Sequence, residues 1–325
     1  MPIKIDSNLP AHAALAAENV FVMTAERAAR QDIRPLRILI LNLMPTKVVT
    51  ETQLLRLLSN SPLQVDITLM QMSTHTAKNT DAGHMAQFYK THKDICHERF
   101  DGMILTGAPV ETLAFEDVDY WDELCRILQW SRTNVYSLFA ICWGAQAALH
   151  YFYGVPKYTL AQKQFGVYPH RILVPLHPAL RGMDDVFWAP HSRHTGTRRA
   201  DIEAVTRSNG KPILQVLAQS EEAGVFLAAD WDCRQFFATG HLEYDRDTLK
   251  GEYDRDRDKG LDIAVPEHYF PHDDPTQKPL MRWRGAANIL FTNWLNYFVY
   301  QQTPFDLTQI CTVDEASKET MQGCA

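Results

Sequence analysis

The sequence predicts an α/β domain built on an open, mostly parallel sheet with helices on both faces. Three observations carry this. Strand-like runs rich in Leu, Ile and Val recur at 34–43, 64–72, 100–107 and 134–141. Helical or polar stretches long enough for a crossover separate them. The 325 residues are 46% hydrophobic, which is enough apolar material for a sizeable core.

Taken in order, RPLRILILNL at 34–43 reads as a strand buried on both faces, ended by Pro45. TETQLLRLLSN follows as a helix, with Thr50 as its cap and Leu54, Leu55, Leu57 and Leu58 as its apolar stripe. QVDITLMQM, FDGMILTG and NVYSLFAI supply the second, third and fourth strands of a βαβ rhythm. HRILVPLHPAL at 170–180, GVFLAAD at 224–230 and RQFFATG at 234–240 are shorter strands with less helix between them. An apolar helix is expected at 285–301. The expectation is one domain over 1–311, with an N-terminal extension at 1–33 and a polar tail at 312–325. The dense charge run YDRDTLKGEYDRDRDKG at 244–260 reads as a solvated face.

Composition excludes several classes of function. With 32 Lys+Arg against 39 Asp+Glu, the net charge is -7 and both signs are interspersed, so no general nucleic-acid surface is available. The most apolar run, NILFTNWLNYFVY at 288–300, carries three Asn and falls short of the roughly 18 residues of a membrane span. The first twenty residues lack the features of a secretory signal, and the six cysteines show no CxxC spacing. The expectation is therefore a cytoplasmic protein with reduced thiols, no metal site, no nucleic-acid partner and no membrane partner. A homodimer is compatible with the sequence without being required by it.

The segment NVYSLFAICWGAQAALHYFYG places Cys142 where a strand runs straight into the small residues of a helix, beginning Trp143-Gly144-Ala145. A thiol on such an elbow meets the positive end of the helix dipole, which favours the thiolate. The first N–H groups of the helix, that of Trp143 foremost, can hold an oxyanion. In RQFFATGHLEYD a strand ends at Gly240 and delivers His241 and Glu243. In extended backbone, residues two apart share a side, so Glu243 can orient one imidazole nitrogen while the other takes a proton from a thiol. Cys142, His241 and Gly107 of LTGAP all follow strand ends, where open parallel sheets bind ligands. A buried core cysteine and a structural histidine remain the plain alternatives.

With these residues in view, the chain resembles the homoserine O-acyltransferases of the methionine-pathway type, which are similar in fold to class I glutamine amidotransferases and so flavodoxin-like. The resemblance rests on NLMPTKVVTETQLLRLL at 42–58, LTGAPVE at 105–111, CWGAQAAL at 142–149, YTLAQKQFGVY at 158–168, PHSRHT at 190–195, and GHLEYD with GEYDRDRDKG. It implies Cys142 as acyl-thioester nucleophile, His241 as proton acceptor and Glu243 as its partner. It implies Lys163, Ser192 and Arg255 as substrate contacts, and Lys47 as a cation near the oxyanion. The substrates implied are L-homoserine and acetyl-CoA, with no cofactor beyond acetyl-CoA as co-substrate.

In this family a glutamate at the place of Glu111 goes with acetyl-CoA and a glycine with succinyl-CoA. Physics agrees, because two carboxylates 4 Å apart at an effective dielectric of 20 repel by about 4 kcal/mol. The alternative for Glu111 is a first-turn helix residue. Two departures from the family pattern stand out: a longer stretch around VTRSNGKPILQVLA, expected as a surface loop, and Leu242 in place of proline or serine. The rival functions are a homoserine O-succinyltransferase, a glutamine amidotransferase-like cysteine hydrolase and a catalytically silent binding module.

Overall fold

A computed structural model describes residues 3–6, 8–18, 34–75 and 79–310. Its strands are β1 Ile3–Lys4, β2 Leu36–Leu41, β3 Val65–Met70, β4 Tyr89–Lys90, β5 Phe100–Leu105, β6 Val135–Ile141, β7 Tyr158–Ile172, β8 Val186–Gly196, β9 Leu214–Ser220, β10 Gly224–Asp230 and β11 Gln235–Ala238. They form one sheet in the order β1-β3-β2-β5-β6-β11-β10-β9-β7-β8, with β4 also on β3. Pairing is parallel from β1 through β6 to β11 and antiparallel from β11 outward to β8. The sheet is thus a parallel half joined to an antiparallel wing.

Alternate residues of the central strands face two different cores. Ile38, Ile40, Ile104, Phe139 and Ile141 pack on one face, with Phe291 and Trp294. Leu39, Leu41, Leu105, Leu138 and Ala140 pack on the other, with Ile127 and Trp143. Both faces are covered, which is why these strands read as continuous apolar runs rather than as an alternation.

The register matters most at the carboxyl ends. Leu41 pairs with Leu105, Leu105 with Ala140, and Ile141 with Ala238. One row of the sheet therefore ends in step, and the next residues of each chain segment emerge together along one edge.

Several expectations are corrected. The helix after β2 is Lys47–Leu58 with Thr46 at its N-cap. Thr50 lies inside the first turn, its hydroxyl donating to Thr46 O at 3.2 Å. The strand expected at 170–180 is instead the end of β7, which begins at Tyr158 and takes in YTLAQKQFGVY. Pro175 and Pro178 lie beyond its end, where the chain turns into the short 3-10 helix Pro178–Leu180. The stretch around VTRSNGKPILQVLA, expected as a surface loop, is exposed loop only around 206–212, where Arg207 N donates to Lys211 O, because Leu214–Ser220 is the largely buried β9. The charge run holds a real helix, Thr248–Asp258. The C-terminal apolar helix runs Arg284–Asn293 and continues as a π-helix over Trp294–Tyr300.

Of the expected N-terminal extension, Ile3–Lys4 forms an edge strand and Pro10–Ala17 a helix. Residues 19–33 and the expected tail at 312–325 lie outside the described residues. No described helix is long and apolar enough to cross a membrane.

Candidate active site

Cys142 stands at the junction of β6 and the helix Trp143–Tyr153 with φ 52° and ψ -119°. A positive φ in a non-glycine residue is strained, and such strain persists only where the surroundings enforce it. Here Cys142 N donates to Ala238 O at 2.7 Å, and Gln146 N donates to Cys142 O at 3.1 Å, so sheet and helix fix the residue from both sides. The helix start also presses against β5. A Cβ on Gly144 would lie 2.5 Å from Thr106 O and 2.9 Å from Leu105 Cγ, so only glycine fits the elbow.

His241 arrives from the end of β11. Its N–H donates to Pro190 O at 2.8 Å, and its Nδ1 lies 2.6 Å from Glu243 Oε1. The expected partnership is present, but its geometry is a turn rather than extended backbone, closed by Tyr244 N donating to His241 O at 3.3 Å. A glycine precedes the histidine because a Cβ on Gly240 would meet the His191 ring and Pro190 O at 2.9 Å. Cys142 lies beside it, and its charge acts on the imidazole. A Cβ on Gly107 would come within 3.2 Å of Cys142 Cβ and 3.4 Å of His241 Cε1, so all three expected strand-end residues meet.

Burial alone would push the His241 imidazolium down. The negative charges of Cys142 and Glu243 outweigh it and hold His241 well above the ordinary imidazole range. Behind it lie two neutral imidazoles. His191 is pushed well down by burial and by the Arg193 guanidinium, and His170, 3.0 Å away, falls to about 3 through burial.

A cleft of about 590 Å³ opens over this pair, and Glu111, Lys163, Ser192 and Arg255 line it together with Cys142 and His241. Ser192 Oγ donates to Glu252 Oε2 at 2.5 Å, and Lys163 Nζ lies 3.5 Å from the same oxygen. Arg255 points to Asp256 at 2.6 Å and keeps a half-exposed side chain at the rim. Glu111 lies in a turn, not in the first turn of a helix, since the next helix starts at Trp121. Its Oε1 accepts from His194 N at 2.9 Å, while its buried Oε2 has no hydrogen-bond partner among the described residues.

Two expected residues stand differently. Trp143 places its backbone next to Cys142 at the helix start, whereas its indole is buried in the core. Lys47 does not line the cleft. Its ammonium donates to Asn42 O, and burial lowers it to about 8 against the opposing pull of Glu51.

Glu252 and Tyr244 were missed by the sequence reading. A signal for Glu252 was present: Thr248, Gly251, Glu252 and Arg255 recur at helical spacing within the charge run, and all four line the cleft. Tyr244 carried no such signal beyond its place beside Glu243.

Comparison with known proteins adds the following. A family model described as "HTS: Homoserine O-succinyltransferase" matches residues 2–305. A protein named homoserine O-acetyltransferase from Acetivibrio thermocellus is 57% identical over 310 residues, covering 95% of this chain and all of the relative. Proteins of the same name from Desulfovibrio desulfuricans and Bacillus mycoides are each 58% identical, over 97% and 94% of this chain and 99% and 100% of their own lengths. Among solved structures, a glutamine amidotransferase from Thermotoga maritima aligns with a TM-score of 0.50 at 10% identity, over 82% of this chain and all of that one. That likeness concerns the fold alone.

Proposed function

The chain belongs to the homoserine O-succinyltransferase family, and we propose that within it the protein is a homoserine O-acetyltransferase acting through a Cys142 thioester. The observation that carries the proposal is the strained elbow cysteine beside a histidine that a buried carboxylate holds in place.

The Cys142 thiolate attacks the carbonyl of acetyl-CoA, and the tetrahedral oxyanion is held by N–H groups at the start of the helix Trp143–Tyr153. The C–S bond to CoA breaks, and His241 gives its proton to the departing CoA thiolate. Acylation removes the negative charge on sulfur that kept the imidazolium protonated, so His241 becomes a competent base at the moment one is required. L-Homoserine then binds with its carboxylate toward Lys163 and Arg255 and its ammonium toward Glu252. His241 takes the hydroxyl proton, the oxygen attacks the thioester, and O-acetyl-L-homoserine leaves as the thiolate–imidazolium pair is restored.

Glu111 supports acetyl over succinyl. An unpartnered carboxylate oxygen at the cleft wall opposes a second carboxylate and leaves an uncharged acetyl group undisturbed. In this reading Lys47, turned to Asn42 in the free protein, assists only by reorienting on acyl-CoA binding. The protein works in the cytosol in methionine biosynthesis and needs no cofactor beyond its co-substrate. Mass spectrometry after incubation with acetyl-CoA alone tests the proposal: an acetyl adduct on Cys142 and parallel initial-rate plots are expected. Intersecting plots with no adduct would overturn it. Glutaminase turnover without acyl transfer would favour the hydrolase instead.

A further inference from the structure

Neither half of the chemistry above uses Tyr244, yet this residue touches both. Its ring lies face to face with the His241 imidazole, centroids 4.1 Å apart and planes 13° from parallel. It lines the same cleft as Glu252, whose charge acts on its hydroxyl, and Glu252 is the carboxylate that also holds Ser192 and Lys163. Its backbone is pinned at both ends: its N–H donates to His241 O, and its carbonyl accepts from the buried Trp283 indole at 2.9 Å. Burial, joined by the charges of Glu252, Glu243 and Cys142, holds the phenol well above its ordinary range, so the hydroxyl remains a donor.

We propose that Tyr244 is a positioning residue coupling the two half-reactions: its ring holds the His241 imidazole against Cys142, and its hydroxyl aims Glu252 at the ammonium of the acceptor. This rests on the reading above, in which Cys142 is acylated and Glu252 receives homoserine. An imidazole anchored through Nδ1 alone can rock about that hydrogen bond. A ring stacked on its face blocks the rocking and attracts the imidazolium form. Misplacement by a fraction of an ångström is costly for a proton donor and nucleophile held in a fixed pair. The hydroxyl sets this residue apart from a core-filling ring, because Tyr244 lines the cleft with Glu252 and feels that carboxylate's charge.

The test separates ring from hydroxyl by measuring two rates on the full-length protein. One is acetylation of Cys142 by acetyl-CoA alone, followed by quenched-flow mass spectrometry, and the other is steady-state dependence on homoserine. Tyr244→Phe keeps the stack and should acetylate within about threefold of the wild-type rate, while its homoserine KM rises about tenfold, as expected for the loss of one hydrogen bond to a charged group. Tyr244→Leu loses the stack and should slow acetylation by about thirtyfold or more. Equal slowing of acetylation in both variants would overturn the proposal, as would wild-type behaviour of the Phe variant in both steps or wild-type acetylation in the Leu variant. If the Leu variant does not fold, the Phe variant decides alone through the split between its two steps. A wild-type protein that never acetylates would instead overturn the underlying thioester reading.

Discussion

The floor and the rim of one cleft are built on opposite terms. At the floor, Cys142, His241 and Glu243 are all buried, and the backbone N–H groups of Cys142 and His241 are anchored to Ala238 and Pro190. At the rim, Lys163, Ser192 and Glu252 are held through side chains, and the Arg255 side chain is 54% exposed. Charges at the floor have lost water and are stabilised by one another, so each depends strongly on its partners. Charges at the rim remain screened, so substrate ions can compete for them. The floor is therefore suited to bond making and the rim to choosing what is bound.

The largest effects are expected at the floor. His241→Ala or Glu243→Ala should each cost about 10²- to 10⁴-fold in turnover, and the double variant should lose little more than His241→Ala alone, because the pair acts as a unit. Steady-state kinetics of the three variants checks this. Additive losses would mean that the two residues contribute independently and that the floor is no more coupled than the rim.

Glu111, at the cleft wall, should have the next largest effect, and on choice rather than speed. Glu111→Gly removes volume and charge and should raise the succinyl-to-acetyl activity ratio by about 10- to 100-fold, below the roughly thousandfold ceiling that 4 kcal/mol would set. Glu111→Gln keeps the volume. A Gln variant resembling Glu would assign discrimination to sterics, and one resembling Gly would assign it to repulsion. An unchanged ratio in both would remove Glu111 from donor choice. At the rim proper, Glu252→Gln should raise the homoserine KM by about tenfold while leaving the rate of Cys142 acetylation intact. A slowed acetylation would show that rim and floor are not separate.

The floor was legible in the sequence because local rules set it. An apolar strand running into Cys142-Trp143-Gly144 specifies an elbow, and a strand ending at Gly240 delivers His241. The partnership of His241 with Glu243 was expected for the wrong reason, since a turn and not an extended strand closes it. The rim was less legible because long-range register builds it. Ser192 pairs with Phe165 across β7 and β8, which brings PHSRHT beside AQKQFGVY, and no periodicity within either segment encodes that pairing. Glu252 was hidden for a different reason. A run of alternating charges resembles a solvated face until the helix Thr248–Asp258 is known to turn one side of itself into the cleft.

Burial with compensation at the floor has its control at the opposite end of the sheet, and there the smallest effect is expected. Asp230 ends β10 ahead of β11, whose other end leads to Thr239, Gly240 and His241. It is buried, and its Oδ1 accepts from Gln235 N at 2.6 Å. Burial, reinforced by Asp232, raises its carboxyl to about 7 despite that hydrogen bond and the pull of Arg234. His241, equally buried, gains charge because opposite charges touch it, whereas Asp230 loses charge because burial prevails. Between about pH 4 and 7 the folded protein keeps a proton on Asp230 that the unfolded chain has released. The stability from this group is therefore fully present below about pH 4 and lost as pH rises through 7, with an upper bound of about 4 kcal/mol. Asp230→Asn keeps an acceptor for Gln235 N and cannot ionise. Thermal denaturation from pH 5 to 8 should show the variant gaining on the wild type as pH rises, with acyl transfer unaffected. Parallel curves would mean that Asp230 is ionised in the fold, and that burial without an opposite charge does not govern protonation here.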